Sequence, residues 1–141
     1  MIKTIDNIKI EFDYNPIGKQ TLVFLHGFLG NLNSFENYSK TFQNYGFSTL
    51  NINLTGYGFK HIPKTFTIYD YAQVVFKLIK SLKIKSCCLI GHSFGGRIAI
   101  ILSSMFNFNF EKLILVDSAG IKPKFSLKTK LKILNFKLNK F

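Results

Sequence analysis

Residues 86–106 read SCCLIGHSFGGRIAIILSSMF, and their order decides the fold. The run from Ser86 to Ile90 is apolar without clean alternation, as a strand covered on both faces requires. It passes at once into Gly91-His92-Ser93-Phe94-Gly95, a Gly-x-Ser-x-Gly pattern, and then into a helix expected from just after Ser93 to about Phe106. The helix core Ile98-Ala99-Ile100-Ile101-Leu102 is apolar all round, which implies burial. A serine in a tight strand-to-helix turn takes strained backbone angles, and its flanks need glycine wherever a side chain would strike a neighbouring strand or helix. Gly91, Gly95 and Gly96 stand at those flanks. Such a turn lifts the Ser93 hydroxyl above the sheet edge and aims the helix N-terminus at any anion forming beside it. A bare glycine-rich turn is the bland alternative. A phosphate loop fits less well, because neither Gly-x-Gly-x-x-Gly nor the lysine of a Walker loop is present.

Outward from this stretch, strand-like and helix-like runs alternate. Ile2–Ile5 and Ile8–Tyr14, split by Asp6-Asn7, read as a short hairpin. Thr21–Leu25, Phe47–Asn53 and Leu113–Val116 join Ser86–Ile90 as candidate central strands. Between them, Asn33 followed by Glu36 reads as a helix N-cap, with Phe35, Tyr38, Phe42 and Tyr45 on one face and Gly46 as the stop. Thr67 and Asp70 repeat the device ahead of a stripe of Tyr71, Val74, Val75, Leu78, Ile79 and Leu82, with Lys77, Lys80 and Lys83 opposite. The order predicts an α/β fold: a doubly wound, mostly parallel sheet with an N-terminal antiparallel hairpin.

Composition bounds the rest. The 141 residues are 47% apolar and 18% charged, as expected of one globular domain, with neither the polarity of a disordered chain nor the cysteines of a disulfide scaffold. A formal charge of +12 suggests a polyanionic partner. That suggestion weakens because Arg97 is the only arginine, and planar recognition of phosphates and base edges favours arginine. No nucleic-acid partner is expected. Charges at Lys3, Asp6 and Lys9 break any signal-peptide run, and the longest apolar run, Ile98 to Phe106, is far short of the ~20 residues a bilayer needs. A cytoplasmic protein with no integral membrane segment is the expectation. Adjacent Cys87 and Cys88 read as buried reduced thiols, and no metal-ligand spacing or cofactor motif is present.

A second motif agrees with the first. Leu25-His26-Gly27-Phe28-Leu29-Gly30 follows the first central strand, and such a loop can present backbone N–H groups near the serine turn. The N–H groups of Phe28 and Phe94 together would form an oxyanion hole, worth a few kcal/mol per donor in acyl transfer. His26 reads as structural rather than as a base.

HGFLG and GHSFGG, in this order and each after an apolar strand, resemble the α/β-hydrolase superfamily. Asn53-Leu54-Thr55-Gly56-Tyr57-Gly58 resembles that family's Asp-x-x-Gly-x-Gly loop, with Asn53 in place of the usual Asp. Leu115-Val116-Asp117-Ser118-Ala119 resembles the end of the strand after the elbow helix. The resemblance implies a Ser–His–acid triad in which Ser93 attacks an acyl carbonyl of a small ester or related acyl compound and the acyl-enzyme is then hydrolysed. Epoxide hydrolases and haloalkane dehalogenases share the fold but would carry Asp at position 93. HGFLG also resembles the loop of a menaquinone-pathway synthase, so a serine-triad lyase or a C–C hydrolase stays open.

In this family the acid and the His follow the Ser, yet no His follows His92. His26, His61 and His92 each make a poor base by position, and Asp117 reads either as the acid or as a structural cap. The resemblance therefore implies a chain that stops early, with residues 1–120 as the N-terminal part of the hydrolase core. Residues 121–141 then start a cap segment. That tail holds seven lysines, and Leu127, Leu131, Leu134, Leu138 and Phe141 fall on one face of an amphipathic helix. The same pattern also suits a solvated helix or a membrane-surface helix. A strand Leu113–Val116 left at the sheet edge would be open to a complementing chain or to self-association. The rival of a hydrolase is a non-catalytic remnant without the triad partners.

Overall fold

The computed structural model describes residues 1–18, 20–54, 66–118 and Lys132. The expected tail helix at 121–141, His61, and Thr55 to Gly58 lie outside the described residues, Lys132 excepted.

Strands β1 (Ile2–Ile5) and β2 (Ile8–Asn15) form the hairpin. Its turn residues Asp6 and Asn7 both take positive φ, 48° and 65°, which suits a two-residue turn between twisted strands. Then follow β3 (Thr21–Leu25), a 3-10 turn (Leu32–Phe35), α1 (Glu36–Asn44), β4 (Ser48–Asn53), α2 (Ile68–Ser81), β5 (Ser86–His92), α3 (Phe94–Met105) and β6 (Asn109–Val116). The strand order across the sheet is β1-β2-β4-β3-β5-β6. β2 pairs antiparallel with β4, while β3 pairs parallel with β4 and β5, and β5 parallel with β6. This is the mixed α/β sheet expected from the strand and helix order.

Helices cover both faces. On one, Val75, Leu78 and Ile79 of α2 and Ile98, Ala99 and Leu102 of α3 pack with Val23, Leu25, Leu50, Cys87 and Leu89. On the other, Phe35 and Phe42 cover Leu22, Phe24, Cys88 and Ile90. Cys87 and Cys88 are thus free buried thiols, one in each core, and burial pushes the Cys87 thiol up to about 12.

Local expectations are met unevenly. The Thr67–Asp70 capping box forms, with Thr67 N–H donating to Asp70 Oδ2 at 2.6 Å. The first cap shifts: Asn31, not Asn33, caps the 3-10 turn in a reciprocal pair with Ser34, and α1 starts at Glu36 without a side-chain cap. Phe35 and Phe42 pack with tilted rings against Phe24, at 5.2 and 6.3 Å between centroids, but Tyr38 and Tyr45 on the same expected face stay exposed. In α3, Ile100 and Ile101 are only half-buried. Strand β6 begins at Asn109, four residues before the apolar run, because its parallel pairing continues down to Ser86. Ser86 Oγ donates to Glu111 Oε1 at 2.5 Å, and Gln20 bonds the same carboxylate.

Candidate active site

Ser93 joins the last residue of β5 to the first of α3, with φ 49° and ψ −110°. That region suits glycine, and a residue with a side chain held there stores on the order of 1–3 kcal/mol. Its neighbours hold it. Ser93 N–H donates to Val116 O at 3.1 Å, and Gly96 N–H donates to Ser93 O at 3.1 Å to begin the helix. A serine at a helix N-cap ordinarily turns its hydroxyl onto the next amides. Here it does not cap α3, and among the described residues the hydroxyl has no hydrogen-bond partner.

The glycines work by close approach. A Cβ on Gly91 would lie 2.6 Å from Gly96 Cα, one on Gly95 2.1 Å from Leu25 O, and one on Gly96 2.3 Å from Ser118 Oγ. The first turn of α3 is therefore wedged between the end of β3 and the end of β6. Gly27, quoted in the HGFLG motif but not expected as a site residue, does the same from the other side. A Cβ there would meet His92 Nδ1 at 2.7 Å and Ser93 Cβ at 3.2 Å. The loop after β3 thus rests directly on the serine turn. Within it, Gly30 N–H donates to Gly27 O at 3.0 Å, Leu29 takes φ 60°, and the Phe28 side chain is exposed. Phe94 opens α3 with its ring edge-on to Tyr71 at 5.3 Å.

The histidines separate. His26 is buried at the end of β3; its Nε2 accepts Leu54 N–H at 3.0 Å, and its Nδ1 lies 2.8 Å from Gly27 O. Burial holds its pKa below the ordinary value, opposed by the Gly27 carbonyl and by the neighbouring Asn53 side chain. His92 is exposed and lines an apolar groove of about 410 Å³ on the α1 face, with Phe24, Phe35, Ile90, Ile114 and Val116. Ser93 is not part of that groove. Asp117 follows β6 at φ 45° and is exposed, and the segment that a cap there would serve lies outside the described residues. Asn53 Nδ2 donates to Glu11 Oε2 at 2.8 Å, tying β4 to β2, while Asn53 Oδ1 is buried without a partner.

Residues 20–141 match the family model described as alpha/beta hydrolase fold. The chain belongs to that family. Among relatives of this hydrolase-fold chain, the "Uncharacterized hydrolase YugF" of Bacillus subtilis (strain 168) is 31% identical over 122 residues, covering 83% of this chain and 44% of its own. The "sn-1-specific diacylglycerol lipase ABHD11" of Danio rerio is 29% identical over 119 residues, covering 82% and 38%. Among solved structures, the esterase EaEST from Exiguobacterium antarcticum superposes with a TM-score of 0.76 at 27% identity, covering 98% of this chain and 55% of that one. The chain spans roughly two fifths of the curated relatives' length and about half of the solved esterase.

Proposed function

We propose that this hydrolase-fold chain carries the nucleophile half of a serine hydrolase acting on a small ester or related acyl compound. Ser93 Oγ attacks the carbonyl carbon, and the N–H groups of Phe28 and Phe94 receive the developing oxyanion. The alcohol leaves, and water hydrolyses the acyl-serine. The observation that supports this most is the uncapped Ser93 hydroxyl on a positive-φ elbow against Gly27. Relatives named as a hydrolase and a lipase agree with the reaction class.

The proton acceptor is not among the described residues. His26 has both ring nitrogens engaged, and His92 lines the groove on the α1 face. Loss of the base in a comparable triad costs about a millionfold in turnover, or ~8–9 kcal/mol of barrier. We therefore assign the base to polypeptide outside the described residues. A second reading, a non-catalytic remnant, draws on the unpartnered Ser93 hydroxyl. A fluorophosphonate probe read by intact mass separates the two. The hydrolase reading expects one adduct, mapped to Ser93 and absent in Ser93→Ala, on the protein that includes the polypeptide supplying the base; no adduct there under prolonged exposure defeats it. We further propose that the open edge of β6 is covered by additional polypeptide or by a second copy.

A further inference from the structure

We propose that His26 is a positioning residue acting as a two-position proton latch: neutral, its Nε2 holds Leu54 N–H; protonated, the same nitrogen donates to Asn53 Oδ1 and releases Leu54. The consequence for catalysis rests on the reading of Ser93 as nucleophile. The latch itself does not.

The tautomer follows from the donors. Leu54 N–H can only donate, so Nε2, 3.0 Å away, must offer a lone pair. The ring proton then sits on Nδ1 and donates to Gly27 O at 2.8 Å. Gly27 O also accepts Gly30 N–H, and a Cβ on Gly30 would stand 2.8 Å from Nδ1, so the ring is the hub around which the loop closes. That loop bears on Ser93 through Gly27. Through Leu54, the same ring fixes the start of the segment after β4. One imidazole therefore joins two chain segments at the C-terminal edge of the sheet.

The second position is already built. Asn53 Oδ1 is a buried acceptor with no partner, which is costly, and the carboxamide cannot turn away because Nδ2 is held by Glu11. The Asn53 side chain neighbours the ring closely enough to favour its charged form. While the ring is neutral, Nε2 has no proton to give that oxygen. When the ring takes one proton from solvent at Nε2, the oxygen gains a donor, and Leu54 N–H loses its acceptor.

Burial opposes the charged ring, which places the switch on the acid side of the ordinary histidine range. Among the described residues, the charged or ionisable groups on the surrounding elements are Glu11 and Asp13 of β2, Glu36 of α1 paired with Lys40, His92 of β5 and Arg97 of α3. Of these, only Glu11 is bonded to the Asn53 carboxamide. Position 53 then sets the midpoint: a carboxylate there would hold the imidazolium directly, whereas the carboxamide favours the neutral latch.

The test uses the ¹⁵N-labelled 141-residue chain. Long-range ¹H–¹⁵N correlation reads the His26 tautomer and its titration, and hydrogen exchange, corrected for intrinsic pH dependence, reads the Leu54 amide. The expected result is an Nδ1–H tautomer at neutral pH, a midpoint below 6.5, and about tenfold loss of Leu54 protection across that midpoint. Asn53→Asp should raise the midpoint by about one unit, and Asn53→Leu should lower it. An Nε2–H tautomer, Leu54 protection that ignores the ring's titration, or an unmoved midpoint in a folded Asn53→Asp chain overturns the latch. If neither variant folds, the wild-type tautomer and Leu54 exchange decide alone. These readouts need no turnover. A latch that titrates, beside a Ser93 that stays unlabelled in the protein that includes the polypeptide supplying the base, leaves the latch standing and removes the hydrolase reading, and the converse result does the opposite.

Discussion

At the scale of single residues, Ser93 sits where function and stability oppose each other. Its φ of 49° is strained for a side chain and ordinary for glycine. Ser93→Gly should stabilise the chain by about 1 kcal/mol in urea unfolding, relative to Ser93→Ala, while both abolish probe labelling. Equal stabilities for the two variants would show that the elbow is unstrained. The glycines divide by what they touch. Gly95→Ala drives a methyl into the backbone of Leu25 and should cost about 3 kcal/mol or more, whereas Gly27→Ala meets an exposed His92 ring that can swing and should cost about 1 kcal/mol. A larger loss for Gly27→Ala would reverse that ranking. Gly91, Gly95 and Ser93 were legible because the motif is local and sits between an apolar strand and an apolar helix. Gly27 and the His26–Asn53 relation were not, since each depends on a contact between segments that only the folded sheet brings together.

Elements show the same division between local chemistry and tertiary context. The Thr67–Asp70 box was readable because both partners lie within one turn. Thr67→Ala should cost about 1 kcal/mol of stability in chemical denaturation. The bonds from Thr67 hold the Asp70 carboxyl below the usual carboxylate range. A depressed folded value means the contribution is full above the unfolded pKa and fades as pH falls through the folded one. The Thr67→Ala penalty should therefore shrink in acid below about pH 4 and stay constant from pH 5 to 8. A penalty unchanged at pH 3 would exclude the carboxylate's part. At the first helix the same kind of spacing misplaced the cap, because Asn31-x-x-Ser34 and Asn33-x-x-Glu36 overlap and only the path of the preceding loop selects between them. Strand β6 was read too short for a related reason: Asn109, Glu111 and Lys112 look polar, yet pairing with Ser86–Cys88 and the bonds to Glu111 extend the strand.

At the scale of the whole molecule, the last strand of the sheet among the described residues carries the argument. Among the described residues β6 is an edge strand, and Leu113, Ile114, Leu115 and Val116 remain 38, 46, 40 and 44% exposed. Ile114 and Val116 border the groove with Ile90 and Phe35 on the α1 face, so apolar surface lies along a strand that pairs only with β5 among the described residues. Against association stands a formal charge of +12, which makes two copies repel at low ionic strength. Two opposing terms of different range predict an unusual salt response. Raising salt from about 0.05 to 0.5 M shortens the screening length from over 10 Å to under 5 Å and should strengthen self-association, while the short-range apolar contact is unaffected. The double variant Ile114→Lys, Leu115→Lys places one charge on each face of the edge. It should keep the thermal transition within a few degrees, because both positions are half-exposed, and weaken association at least about tenfold by sedimentation equilibrium. A wild-type chain that stays monomeric at high concentration in 0.5 M salt would show that the edge is already covered within one molecule.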